Sequence, residues 1–486
     1  MKTLKTNPGA KRLMESLRNM GYDCSTAIAD LVDNSVTANA SEIHIDIIPK
    51  QHSAPARIVI VDNGKGMDKD DLREAMRFGA MQEYSPGDLG KYGLGLKTAS
   101  LSQCRTLTVS SKSKSVRGSR PRRYTMMWDI DHVYQTDDWN LLMPEENELK
   151  SWQREAFNHS ALKENGTAIV WSKLEEALPL LSSDDVHERE KFLAYLINEI
   201  TGHLRMVFHR FMQGTVTGRR KLNIFICGER LIPWDPFCRD EKTKELDIVD
   251  LQVISQQPDG EKAKENIIIS PYILPREEEF STVSAWKDAT GPKNWNQQQG
   301  FYFYRNNRLL QAGGWSRLRS VDEHTKLLRI AVDFPSELDV AFSINITKMR
   351  AKIPDELREK IRSHVSKWAT TARVRYDGTS QKRDIKLVYS KPMVEPEPTV
   401  NVGPLVLSKN PSGSEISIRE NKEGQINLLI PKNHDLSAIF ELKDGDKEEL
   451  KRLCLAAFSL LEAVYERKIP ASHIPMTAIK KIYKKL

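Results

Sequence analysis

Three stretches near the start of the chain hold residue types that can act together on one ligand. They are Asp30-Leu31-Val32-Asp33-Asn34, Asp62-Asn63-Gly64-Lys65-Gly66-Met67 and Gly90-Lys91-Tyr92-Gly93-Leu94-Gly95-Leu96-Lys97. In the first, helical periodicity puts Asp30 and Asn34 on one face. A carboxylate beside a carboxamide suits a hydrated metal ion, with the acid placed to take a proton from water. The second closes the apolar run Ile58 to Val61, and its glycines let the backbone turn sharply and approach a ligand. In the third, glycines run into a helix start, where free N–H groups and the helix dipole attract phosphate. Each signal alone is common: an Asp/Asn pair is usually a solvated face, and a glycine pair is usually a loop. Their order within about seventy residues is far harder to obtain by chance.

The elements that must hold these residues follow from spacing. Asn7-Pro8 predicts a helix cap with proline at the first helical position, closed by Gly21, and Ser25 to Val36 predicts a second helix. Ile43, Ile45 and Ile47 alternate as a strand that pairs with Arg57 to Val61. Asp68 to Arg77 reads as a short capped helix, and Phe78 to Gly93 as a segment able to close over a ligand. Thr106 to Ser110 and Tyr124 to Trp128 read as neighbouring strands. Between them lie six basic residues and no acid: Lys112, Lys114, Arg117, Arg120, Arg122 and Arg123. Such a hairpin tip either touches a phosphate backbone or is a solvated loop. Gly166-Thr167 then precedes the apolar strand Ala168 to Trp171.

Further along, a helical stripe predicts one long helix from Asp185 to Met212. Strands follow at Leu222 to Cys227, Asn266 to Leu274, Phe301 to Arg305, Leu327 to Phe334 and Val340 to Ile346, then a helix from Ile353 to Thr370 begun by Pro354. Lys391 to Pro404 is a proline-spaced linker. Short strands at Glu415 to Ile418 and Gln425 to Ile430, and a helix capped by Asp446 with Glu449, complete the chain. Lys480, Lys481, Lys484 and Lys485 crowd its end.

Composition narrows the class. A chain of 486 residues needs two or three domains. With 39% hydrophobic and 29% charged residues, and no apolar run of the ~18 residues a membrane span needs, it reads as globular and cytoplasmic. Its five cysteines (Cys24, Cys104, Cys227, Cys238 and Cys454) form no CxxC pair and read as reduced, mostly buried thiols. A net charge of +7 permits a nucleic-acid partner without establishing one.

Gly90 to Thr98 nearly spells a Walker A loop, but that motif needs Gly-Lys-Thr contiguous, and Leu96 separates Gly95 from Lys97. The run from AIADLVDNSVTANA through IVIVDNGKGM to GKYGLGLKTAS instead resembles the ATP-binding domain of the GHKL superfamily (gyrase B, the heat-shock chaperone, histidine kinases, MutL). It is most similar to the MORC-like branch and its prokaryotic relatives. KLNIFICGERLIPWDPF and GFYFYRNNRLLQAGGW resemble the transducer domain that follows in such proteins, so the likeness covers about Met1 to Ala372. The resemblance implies an α+β fold. A Bergerat-type sandwich (residues 1–180) is expected, then a transducer domain (181–372), a linker (373–410) and a small α/β or helical region (411–486).

The resemblance also implies roles. Asn34 would hold Mg²⁺ against ATP, and Asp62 would accept the adenine amino group. Gly64 and Gly66 would make room for the base, with Met67 as an apolar wall. Gly93 and Gly95 would meet the phosphates with Lys97 as a compensating charge, while Thr167 would close the adenine pocket. Asp30 would be the general base, and Lys348 would reach the γ-phosphate, with Arg350 and Lys352 as rivals for that place. One departure stands out: the family's base is glutamate, and Asp30 is a methylene shorter. A misplacement of ~1 Å costs on the order of 10²-fold in rate, so hydrolysis is expected to be slow, with ATP acting chiefly to pair two copies as a clamp on DNA. The implied setting is a prokaryotic anti-phage defence or chromosome-handling system with nuclease or other protein partners. The alternative is a chaperone-like ATPase acting on proteins.

Overall fold

The uninterrupted apolar run Ile58-Val59-Ile60-Val61 demands a strand covered on both faces, and that strand lies in the middle of the largest sheet. The computed structural model describes residues 8–19, 21–79, 95–113, 122–162, 164–174, 177–256, 262–344, 351–378, 400–402, 405–410, 417–420 and 426–431. The run forms β2 (Arg57–Asp62), every residue of which is buried. It pairs antiparallel with β1 (Glu42–Ile48) on one side and β5 (Gly166–Ser172) on the other. With β3 (Thr106–Lys112), β4 (Arg123–Asp129), β6 (Asn223–Ile226) and β7 (Glu229–Arg230) the sheet runs β4-β3-β5-β2-β1-β6-β7. The β1–β6 pairing is parallel.

Ile58 and Ile60 enter one core with residues of α1 (Ala10–Arg18), α2 (Cys24–Thr37), α3 (Lys69–Met76), α4 (Gly95–Gln103), α5 (Ile130–Thr136) and α7 (Val186–Val207). Val59 and Val61 face the opposite way, against Leu149, Leu162 and Phe157 of α6 (Ser151–Phe157). This is the period-two alternation of a strand, apolar on both sides because both sides are covered.

A second sheet comprises β8 (Lys244–Glu245), β9 (Val249–Gln256), β10 (Lys262–Ile273), β11 (Gly300–Arg305), β12 (Arg308–Ala312) and β13 (Leu328–Phe334). Its order is β12-β11-β13-β10-β8, with β9 also on β10. Two short helices, α9 (Val283–Ala289) and α10 (Trp295–Gln298), precede β11, and α11 (Asp355–Asp377) packs Leu357, Ile361, Val365 and Trp368 into this sheet's core. The two sheets are joined through α8 (His209–Gln213). His209 Nε2 and the Tyr304 hydroxyl lie 2.8 Å apart, and Arg210 pairs with Asp333. Both sheets belong to one compact unit, Met1–Ile385, of α+β architecture. The other unit, Lys386–Leu486, contains a four-stranded sheet of β14 (Val400–Val402), β15 (Leu405–Asn410), β16 (Ser417–Glu420) and β17 (Ile426–Pro431), ordered β14-β15-β17-β16.

Several expectations change. The first helix is capped at Gly9, one residue beyond the proline. The long helix is broken at Phe208, so His209 begins a separate turn. The stretch from Val340 is not a strand: Ser336–Leu338 is 3₁₀, and Ser343 turns through the left-handed region at φ 51°. There Asp339 is drawn onto Arg305 at 2.7 Å and Phe342 stacks on Phe334 with ring centroids 3.9 Å apart, folding the segment back on β13. The strand expected from Leu222, placed past the residue-180 boundary, lies in the first sheet beside β1. The helix expected at Asp446 and the lysines from Lys480 lie outside the described residues.

Candidate functional site

Asp62 ends β2, where the strand gives way to the turn at Asn63-Gly64. Its Oδ1 accepts the Gly64 N–H at 2.8 Å and its Oδ2 accepts the Ser35 hydroxyl at 3.0 Å. Burial pushes the carboxyl up to about 6, although these donors and the Thr167 N–H oppose the shift. A carboxylate so oriented offers its remaining lone pairs to one more donor. Gly64 is required here because a Cβ would lie 2.8 Å from both Ala38 Cβ and Asp62 Oδ1. Gly66 turns at φ +68°, and a Cβ would fall 2.0 Å from the Lys112 carbonyl oxygen. These glycines therefore admit the protein's own chain. Beyond them the half-buried Met67 donates its N–H to the Ser111 hydroxyl at 2.9 Å, and that hydroxyl lies 2.9 Å from Thr167 Oγ1. Asp62, Gly64, Gly66, Met67 and Thr167 thus converge, with Ser35 and Ser111 as links that the spacing did not single out.

α2 supplies the second part. Asp23 caps it by accepting the Thr26 N–H, and most of its residues are buried. Asn34 is exposed, with Asp33 and Ser35 buried on either side. One turn earlier Asp30 is 3% exposed and its Oδ2 accepts the Tyr22 hydroxyl at 2.9 Å. Gly95, which begins α4, faces that same oxygen, since a Cβ there would lie 3.7 Å from it. The first turn of α4 therefore stands beside Asp30. Asp33, fully buried, accepts Nε of Arg308 at 2.8 Å, and Nη2 of the same guanidinium lies 3.7 Å from Asp30 Oδ1. Arg308 and Tyr22 were not foreseen as site residues. The only signal for Arg308 was its place in the RNNR turn.

Lys97 does not project into this space. It is 1% exposed, and its ammonium donates to the Ala75 carbonyl of α3 at 2.8 Å; burial pushes the amine down to about 8. At the basic hairpin, Lys112 is half-buried, Arg122 lies 5.5 Å from the Tyr124 ring, and Arg123 donates to Asn158 Oδ1 at 3.1 Å. Gly93, Lys114, Arg117, Arg120, Lys348 and Arg350 lie outside the described residues, whereas Lys352 is exposed just before α11. Of the cysteines, Cys24 and Cys104 are buried, Cys238 is half-buried and Cys227 is exposed. No helix among the described residues is long and apolar enough to cross a membrane.

Residues 22–167, which hold every residue described around Asp62 and Asp30 except Arg308, match the family model "Histidine kinase-, DNA gyrase B-, and HSP90-like ATPase". This segment is a GHKL-type ATPase domain. It is similar to the MORC proteins. Protein MICRORCHIDIA 5 of Arabidopsis thaliana is 28% identical over 170 residues, 33% of this chain and 23% of the relative. Protein MICRORCHIDIA 3 of the same plant is 37% identical over 78 residues, 15% and 13% of the two chains. ATPase morc-1 of Caenorhabditis elegans is 32% identical over 91 residues, 19% and 10%. The matched part thus spans less than a quarter of each of these relatives. A crystal structure of the N-terminal domain of a DNA repair protein superposes with a TM-score of 0.41 at 16% identity, over 78% of this chain and 100% of that one.

Proposed function

We propose that this chain binds Mg·ATP between α2, the turn after β2 and the start of α4, and hydrolyses it slowly. The observation that carries this reading is Asp62: a buried carboxylate, aimed by Ser35 and Gly64, at the end of a strand in a GHKL-type domain. It accepts the adenine amino group, a charge-assisted bond worth ~1.5–3 kcal/mol. The residues fit a metal-bound triphosphate. Asn34, the exposed carboxamide on an otherwise packed stretch of helix, would hold Mg²⁺, which would supply charge neutralisation at the phosphates. Gly95 opens α4 toward the phosphates, with Gly93 as its partner, and Lys348 is the reading's candidate for the γ-phosphate. Asp30 takes a proton from the attacking water. Its short side chain, held by Tyr22 and flanked by Arg308, sets the slow rate.

The same reading has ATP pair two copies into a clamp on DNA. The basic strand ends Lys112, Arg122 and Arg123, with Lys114, Arg117 and Arg120 between them in sequence, supply phosphate contacts. A prokaryotic anti-phage or chromosome-handling role with nuclease partners is the setting it suits, and the cytoplasm its location. Calorimetry is expected to show heat with Mg·ATP that is lost in Asp62→Asn and Asn34→Ala. Light scattering after size exclusion is expected to give a dimer with a non-hydrolysable ATP analogue and a monomer with ADP. Asp30→Glu is expected to raise the slow turnover that Asp30→Ala abolishes. Absence of binding heat would end the reading, and a monomer in every nucleotide state would end the clamp.

A further inference from the structure

Burying two carboxylates three residues apart on one helix is costly unless a cation is shared between them. Asp30 and Asp33 are so buried, at 3% and 0% exposure, and the shared cation comes from the second sheet. Arg308 opens β12 and is itself 2% exposed. Its planar fork reaches across to α2, Nε on Asp33 at 2.8 Å and Nη2 3.7 Å from Asp30, while its guanidinium carbon lies 5.8 Å from the centre of the Phe208 ring, at the break between α7 and α8. The hairpin that presents it is fixed from the other side. Asn306 and Asn307 form the two-residue turn with φ of 47° and 68°, the left-handed values that asparagine tolerates. Arg305, across that turn, pairs with Asp339 through Nε at 2.7 Å and Nη2 at 3.0 Å, both side chains buried. Asp30 is thereby held from two directions, by the Tyr22 hydroxyl on Oδ2 and by Arg308 beside Oδ1.

We infer that Arg308 is a positioning residue for Asp30, through which the second sheet sets the competence of the first sheet's proton acceptor. The inference rests on the ATP-hydrolysing reading above. Arg308 touches neither nucleotide nor water in this scheme. It neutralises Asp33, keeps that charge from displacing Asp30, and fixes the direction in which the Asp30 carboxylate points. A lysine has a single point of charge and cannot straddle both acids as the guanidinium fork does. A methionine leaves the two carboxylates facing one another.

The test uses the full chain with Arg308→Lys and Arg308→Met, measuring Mg·ATP affinity by calorimetry and hydrolysis in single turnover. Affinity is expected to stay within about twofold of wild type in both variants. The rate is expected to fall by about tenfold in the lysine variant and on the order of 10²-fold in the methionine variant, the scale of a base displaced by ~1 Å. A wild-type rate in Arg308→Met overturns the inference. So does a loss of rate and affinity in the same proportion, which is what a purely structural tie between the sheets would give. If Arg308→Met fails to fold, Arg308→Lys decides alone, and a wild-type rate in it overturns the inference. A wild-type chain that binds Mg·ATP without turning it over overturns this inference and leaves the binding site standing. One that binds no nucleotide overturns both.

Discussion

Asp62 and Asp30 are both buried carboxylates of the proposed nucleotide site, but they are held in opposite ways. Asp62 is set by neutral donors from its own domain: the Ser35 hydroxyl and the Gly64 and Thr167 N–H groups. Asp30 has a phenol on one oxygen and, beside the other, a guanidinium from a strand of the other sheet. The partners of Asp62 thus all lie within residues 22–167, whereas the surroundings of Asp30 draw on a residue far along the chain. On the proposed function, recognition of the base would be local, and turnover would depend on how the two sheets are joined. A segment cut to residues 22–167 would keep the donors on Asp62 and lose the Arg308 guanidinium beside Asp30.

The comparison breaks most visibly at Asp62. Asp62→Ala is expected to weaken nucleotide binding about 10- to 150-fold, the range of a lost charge-assisted hydrogen bond, and calorimetry reads it directly. Next comes pH. The Asp62 carboxyl titrates near 6, so ATP affinity is expected to fall as pH drops through that value and the acceptor is protonated. Stability runs the other way for this group. Its folded value is raised above 3.8, so its contribution is fullest below that pH and is lost as pH rises through about 6. The amplitude is on the order of 3 kcal/mol, and Asp62→Asn should flatten that portion of a denaturation-versus-pH curve. The smallest effect is expected at Ser111. Ser111→Ala strips the partner from the Met67 N–H and the Thr167 hydroxyl, costing about 1 kcal/mol in thermal unfolding with affinity changed less than in Asp62→Ala.

What could be read from the sequence was whatever local chemistry dictates. The alternation of Ile43, Ile45 and Ile47, the unbroken run at Ile58, and the Asp68 cap each specify their element without help from afar, and each element is present. The helical spacing that puts Asp30 and Asn34 a turn apart is equally local. Patterns decided by distant contacts misled. Val340 to Phe342 alternates like a strand but turns because Asp339 answers Arg305 and Phe342 answers Phe334. The stripe through Met212 reads as one helix, yet Phe208 ends it where α8 turns to meet the second sheet. Lys97, a routine helix-start lysine by spacing, is drawn inward to the Ala75 carbonyl. Arg308 carries no local signal, because its partners lie on α2 and no periodicity links positions so remote.

Gly66 ties together two stretches that the sequence sets far apart. Its missing side chain is the space into which the Lys112 carbonyl fits. The end of β3 at Lys112 and the turn beside Met67 are therefore pressed face to face, and neither can shift while its neighbour stays still. A substitution at position 66 would therefore be felt at the end of β3 as well as in its own turn, and a shift of Lys112 would be felt at Met67.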